Sequence, residues 1–103
     1  MSKINILGTK YDYIETTDLV DDRLIKKDGY CDMSGKTIAV EINVIGDCKK
    51  LGRFKKKVKR HEIIHAYFFE SGLTEYADNE LIVDWIAVQF PKLLKTFQEV
   101  DAI

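Results

Sequence analysis

His61-Glu62-Ile63-Ile64-His65 contains the only two histidines of the chain, four residues apart, with a glutamate directly after the first. On an α-helix, positions i and i+4 lie one turn apart on the same face, so both imidazoles can reach one metal ion. The glutamate between them then sits close enough to touch a metal-bound water. Two histidines on Zn²⁺ with a glutamate as general base is the chemistry this H-E-x-x-H spacing carries. For the stretch to work, the chain around it must be helical, supply a third ligand and form a cleft.

Working outward, Leu51, Phe54, Val58, Ile64 and Phe68 recur at threes, fours and a six. That spacing predicts a helix from about Leu51 to Ser71 whose buried stripe passes through both histidines. Gly72 is a C-terminal stop. Asp47, after Gly46, can cap the start, although Gly52 weakens the early turns and points to a beginning near Arg53.

A second helix is expected from Thr74 or Asp78 to about Phe90. Leu81, Ile82, Val83, Trp85, Ile86, Ala87, Val88 and Phe90 give it apolar side chains on nearly all sides, which predicts a buried helix with Trp85 and Phe90, like Phe68 and Phe69, in the core. Pro91 kinks or restarts it, and Lys92 to Glu99 continue with Leu93, Leu94 and Phe97 facing inward. Glu80 and Asp84 stand four apart within it. Ionised carboxylates among such neighbours are costly unless paired or coordinated, and a metal supplies the partner. A catalytic zinc takes three protein ligands and one water. Glu80 is the first choice for the third ligand, with Asp84 either orienting a histidine through its second ring nitrogen or serving as the alternative ligand.

The first half reads as strands. Lys3-Ile4-Asn5-Ile6-Leu7 and Tyr11-Asp12-Tyr13-Ile14-Glu15, separated by Gly8-Thr9-Lys10, form a hairpin. Thr16 to Asp28 is acidic and irregular, with a helical turn between Leu19 and Ile25. Gly29 to Met33 and Thr37 to Val44 flank Ser34-Gly35-Lys36 as a second hairpin, in which Ile38, Val40, Ile42 and Val44 alternate on one face. Their only large apolar partners are the helices. The expected fold is α+β: one small zincin-like domain over residues 1–103, its N-terminal antiparallel sheet packed on the active-site helix and the second, ligand-bearing helix.

The chain is 103 residues with 46% hydrophobic content, enough for a modest core without disulfides. Cys31 and Cys48 match no zinc-ribbon spacing and are expected as free thiols of a cytoplasmic protein, there being no signal peptide, lipidation signal or membrane-spanning run. The formal net charge of −1 carries no message about partners. Its distribution carries more: Lys49, Lys50, Arg53, Lys55, Lys56, Lys57, Lys59 and Arg60 come without an acidic residue between them. Such a run is either a solvated helix face or a footprint for nucleic acid or an acidic protein, and the interleaved apolar residues favour the solvated face.

His61 to His65, followed by Glu80-x-x-Val83-Asp84-x-Ile86-Ala87 and Phe90-Pro91, resembles the gluzincin-like metallopeptidases of phages and mobile elements, the ImmA/IrrE group. There the active-site helix precedes a helix with a glutamate ligand in a pattern close to Glu-x-x-Ala-Asn-x-Phe-Ala, ending in an apolar-Pro pair. Glu80 falls on the ligand position and Asp84 on the asparagine; Asn79-Glu80 also looks like the Asn-Glu of the wider thermolysin-like group. Gly29 to Val44 looks like the family's Gly-Tyr hairpin, whose last strand would form the sheet edge beside the cleft. Val83 and Asp84 depart from the usual Ala and Asn, and no DNA-binding domain is attached.

The resemblance implies a zinc-dependent endopeptidase, phage or mobile-element encoded, with Zn²⁺ on His61, His65 and Glu80 and with Glu62 as general base on a peptide substrate laid along the sheet edge. With no third histidine, Tyr76 or Tyr67 would have to hold the oxyanion. The alternative is a catalytically weak or inactive zinc-stabilised module that binds a host protein, or nucleic acid through residues 49–60.

Overall fold

A computed structural model describes residues 2–43 and 48–103, with side chains from residue 52 onward in the second segment. Strands β1 (Ser2–Ile6) and β2 (Thr9–Thr16) form the first hairpin, and β3 (Gly29–Asp32) and β4 (Thr37–Glu41) the second. Leu7 and Gly8 close the first with φ of 51° and 93°, the pairing that a two-residue hairpin loop of matching twist requires. The loop is therefore one residue earlier than Gly8-Thr9-Lys10, and Thr9 and Lys10 belong to β2.

The two hairpins join through β2 and β4, which run parallel, giving the order β1-β2-β4-β3. The sheet is thus mixed, not antiparallel as expected. β4 is interior, and the edge beside the helices is β3. Both α1 and the segment between β2 and β3 pack on β4, and Ala39 is as fully buried as Ile38 and Val40. Ile42 lies beyond the strand and is exposed; Val44 lies outside the described residues. The irregular segment after β2 contains one 3₁₀ turn, Asp22–Leu24, capped by Asp21, and Leu24 is buried. It packs on β3 and β4.

Helix α1 (Cys48–Glu70) crosses the sheet against β1, β3 and β4. It starts earlier than Arg53 and runs through Gly52, whose cost is only about 1 kcal/mol. The proposed Asp47 cap lies outside the described residues. Ile6, Tyr11, Ile38 and Ala66 form the core between sheet and helix. Glu70 fastens the far end: it accepts from Tyr11 Oη (2.6 Å), Thr9 Oγ1 (2.9 Å) and Lys36 Nζ (2.6 Å). Gly72, at φ 86°, ends the helix as expected, with Leu73 N donating to Phe68 O and Gly72 N to Phe69 O.

Both expected starts of the second helix have a counterpart, because there are two helices: α2 (Thr74–Ala77) and α3 (Glu80–Glu99), the latter capped by Asn79 Oδ1 on Ile82 N. Pro91 neither stops nor restarts α3. A proline at 91 has no N–H for Ala87 O, and Arg60 Nε donates to that carbonyl at 2.6 Å instead. The expectation of a buried helix fails. Only Val83 and Ala87 are buried, Trp85 is 59% exposed, and Phe90, Leu93 and Phe97 also face solvent. The elements that pack on α3 are α1 and the short α2, and they cover a single face of it, whatever the other faces carry.

Candidate metal centre

Helix α1 presents His61, Glu62 and His65 to a cleft of about 430 Å³ between α1, α3 and the edge strand β3. His61 and His65 are one turn apart, as the spacing requires, and their Nε2 atoms are 3.2 Å apart. Glu80, the first residue of α3, reaches both: Oε2 is 2.8 Å from His61 Nε2 and Oε1 is 3.0 Å from His65 Nε2. Asn79, by capping α3, fixes where that first turn begins.

The other ring nitrogens are held from behind. His65 Nδ1 contacts the backbone carbonyl of Ala77, and His61 Nδ1 lies 3.2 Å from Asp84 Oδ1. Both partners are acceptors, so each Nδ1 donates a proton, and in a neutral ring Nε2 is left with a bare lone pair. Two such lone pairs and the oxygens of Glu80 then point at one another. One proton can bridge only one of these pairs, whereas a cation among them satisfies all three.

The donor set fits zinc. His61, His65 and Glu80 each offer an atom within 4.8 Å of the others, two imidazoles and a carboxylate being a common catalytic set. Ligands 2.0–2.1 Å from a tetrahedral zinc stand about 3.3 Å apart, and the observed separations of 2.8 to 3.2 Å come within a few tenths of an ångström of that. Asp84 sits behind His61 in the orienting position. The contact to His61 Nε2 is made by Glu80 instead, so the two carboxylates meet opposite sides of the imidazole.

Burial of the carboxylates is not what draws them to the histidines. The Glu80 side chain is 70% exposed and Asp84 also reaches solvent, because Glu80 stands on the first turn of a helix covered on one face only. The expectation of costly buried carboxylates is corrected accordingly. Convergence of atoms, rather than burial, marks the site. Burial is the largest single influence on Asp84 and pushes its pKa up, but the hydrogen bonds and charges of Lys57 (3.3 Å) and His61 together outweigh it and hold the carboxyl below the usual range.

Within the cleft, the buried carboxylate is Glu62. Desolvation pushes its pKa up, opposed by the charges His61 and His65 can carry. What buries it is Gly29 on β3: a Cβ there would stand 3.2 Å from Glu62 Cγ, 3.1 Å from Val58 Cγ1 and 2.9 Å from Ala39 O. Gly29 and the Ala77 carbonyl are site-building elements that sequence reasoning missed. Gly29 carries a signal, a glycine opening a strand, whereas a backbone carbonyl has none.

Neither tyrosine proposed for an oxyanion lines the cleft. Tyr67 faces an apolar groove on the other side of α1, and Tyr76 packs on Phe68 at 5.9 Å between ring centroids. The cleft instead contains Lys57, Lys27 and Tyr30. Tyr30 Oη donates to Asp21, and burial with that contact pushes the phenol up to about 12. Cys31 also borders the cleft but is a packed thiol, pushed up to about 12 by burial and by Glu62.

The basic run is partly neutralised within the chain. Lys57 pairs with Asp84, Lys59 with Glu15 (3.2 Å), and Arg60 binds the Ala87 carbonyl. Among the described residues no helix is long and apolar enough to cross a membrane. No protein-family model matches the chain, and no curated protein and no solved structure is significantly similar to it.

Proposed function

We propose that this chain is a zinc-dependent endopeptidase of the gluzincin-like type found in phages and mobile elements, and that its α+β domain is a reduced zincin. The observation that supports this is the convergence of His61 Nε2, His65 Nε2 and Glu80 on one point, with both Nδ1 atoms anchored and Glu62 buried alongside. Bound there, zinc supplies a Lewis acid that brings the pKa of water toward neutrality.

The chain's own residues do the rest. Glu62 accepts the proton of the attacking water and returns it to the leaving amine, a shuttle for which its place between the two histidines in the cleft lining suits it. Asp84 and the Ala77 carbonyl keep the two imidazoles in the tautomer that leaves Nε2 free. Lys27 and Lys57, the two lysines of the cleft lining, take the oxyanion role in place of the tyrosines. An extended peptide pairs with the outer edge of β3, the strand that borders the cleft.

Purified chain should hold close to one zinc, measured by elemental analysis. Glu62→Gln should keep the metal and lose cleavage of a quenched-fluorescence peptide library. Full cleavage by that variant would sink the mechanism. The alternative, a zinc-stabilised module that docks through residues 49–60, is less well supported because Lys57, Lys59 and Arg60 are turned to partners within the chain.

A further inference from the structure

The seam that α3 begins on α1 does not end where the contact ends. Val83, Ile86, Phe90, Leu93, Phe97 and Val100 follow at alternating steps of three and four, the a/d spacing of a helix that packs along its length on another helix. From Phe90 onward the seam reaches solvent, with Phe90 45%, Phe97 38% and Val100 72% exposed. By helical phase the charged residues of this half, Lys92, Lys95 and Glu99, fall on the opposite face. At its base is an apolar groove of about 580 Å³ walled by Ile63, Ile64, Tyr67 and Phe68, with Arg60 the one charged residue in its lining. Leu7 also borders the groove, held at φ 51°, a conformation that side chains other than glycine avoid.

We propose that this surface docks a second copy of the same chain, α3 on α3, antiparallel about a two-fold axis at Leu93 and Leu94. In that register Phe97 of each copy meets Phe90 of the other. Val100 and Asp101 then reach the Ile86 end of the facing groove, where Arg60 stands.

Three features select a second copy. The molecule has both a projecting apolar tip and an apolar groove on one continuous stripe, so a two-fold fills each with the other and closes the assembly. The uncharged seam meets itself without like-charge repulsion, while acidic Asp101 approaches Arg60. Tyr67, Leu73, Phe90, Leu93, Phe97 and Val100 are all between 38% and 72% exposed and supply apolar surface toward the ~800 Å² per partner that a specific interface buries.

Sedimentation equilibrium of the full chain tests this, and twice the mass of one chain is expected. Phe97→Glu and Val100→Glu should each weaken self-association on the order of tenfold or more, with far-UV circular dichroism unchanged. Lys95→Glu, on the far face, should leave it intact. A monomer at every concentration overturns the proposal, as does a dimer indifferent to both seam substitutions. A monomer that floats with phosphatidylglycerol vesicles overturns it in favour of a lipid surface.

Discussion

Asp84 and Glu80 show how two carboxylates four apart on one helix take different roles. Glu80 meets the Nε2 atoms of both histidines and Asp84 the Nδ1 of His61. Losing an orienting partner typically costs 10–100-fold in metal affinity, so Asp84→Ala should weaken zinc binding by about that factor in a chelator competition, and Glu80→Ala by more. The pair was legible in the sequence because helical spacing is a property of the chain. Its burial was not, since apolar neighbours along a helix surround a residue without covering it. Gly29 is the opposite case, decided by the approach of α1. Gly29→Ala places a methyl against the Ala39 carbonyl, which the sheet holds, so the backbone at residue 29 must shift and Val58 and Glu62, also crowded by the methyl, must give way. Overpacking of this kind costs roughly 1–3 kcal/mol, readable as a lower denaturation midpoint.

At the scale of elements, the helices were legible in type, and their ends shifted by a few residues where capping and tertiary contacts override local propensity. Gly72 stopped α1 as its backbone freedom predicts. Pro91 did not break α3, and the reason lies 31 positions earlier in the chain, beyond any local pattern. Arg60 Nε takes the carbonyl of the fully buried Ala87 that the proline leaves without a donor. Arg60→Leu strands that acceptor and should destabilise the fold by about 1–3 kcal/mol. Pro91→Ala restores a backbone N–H to the same carbonyl. In the Arg60→Leu background it should therefore recover more stability than in the wild type, a coupling that a double-mutant cycle in urea measures directly. Additive effects would mean that the arginine does not substitute for the missing donor.

On the scale of the whole molecule, each hairpin was visible because its partners are neighbours in sequence. The parallel junction of β2 with β4 was not, since nothing local distinguishes an interior strand from an edge one until the hairpins meet. Glu70 reports on that meeting: it lies at the end of α1 and binds Thr9 and Tyr11 of β2 together with Lys36, from the turn before β4. Lys36 and the Tyr11 hydroxyl together draw its pKa down to about 2, against roughly 4.3 for an unfolded glutamate. A depressed carboxylate stabilises the fold fully above its unfolded pKa, and that contribution fades as pH falls toward the folded value. Wild-type stability should therefore decline between about pH 4.3 and pH 2. Glu70→Gln, which keeps the shape and removes the titration, should lower stability at neutral pH and flatten that part of the curve. Because three segments meet at this one carboxylate, the loss should appear in a single cooperative transition for the whole domain. Separate melting of the first hairpin would show that the junction is not what holds the sheet together.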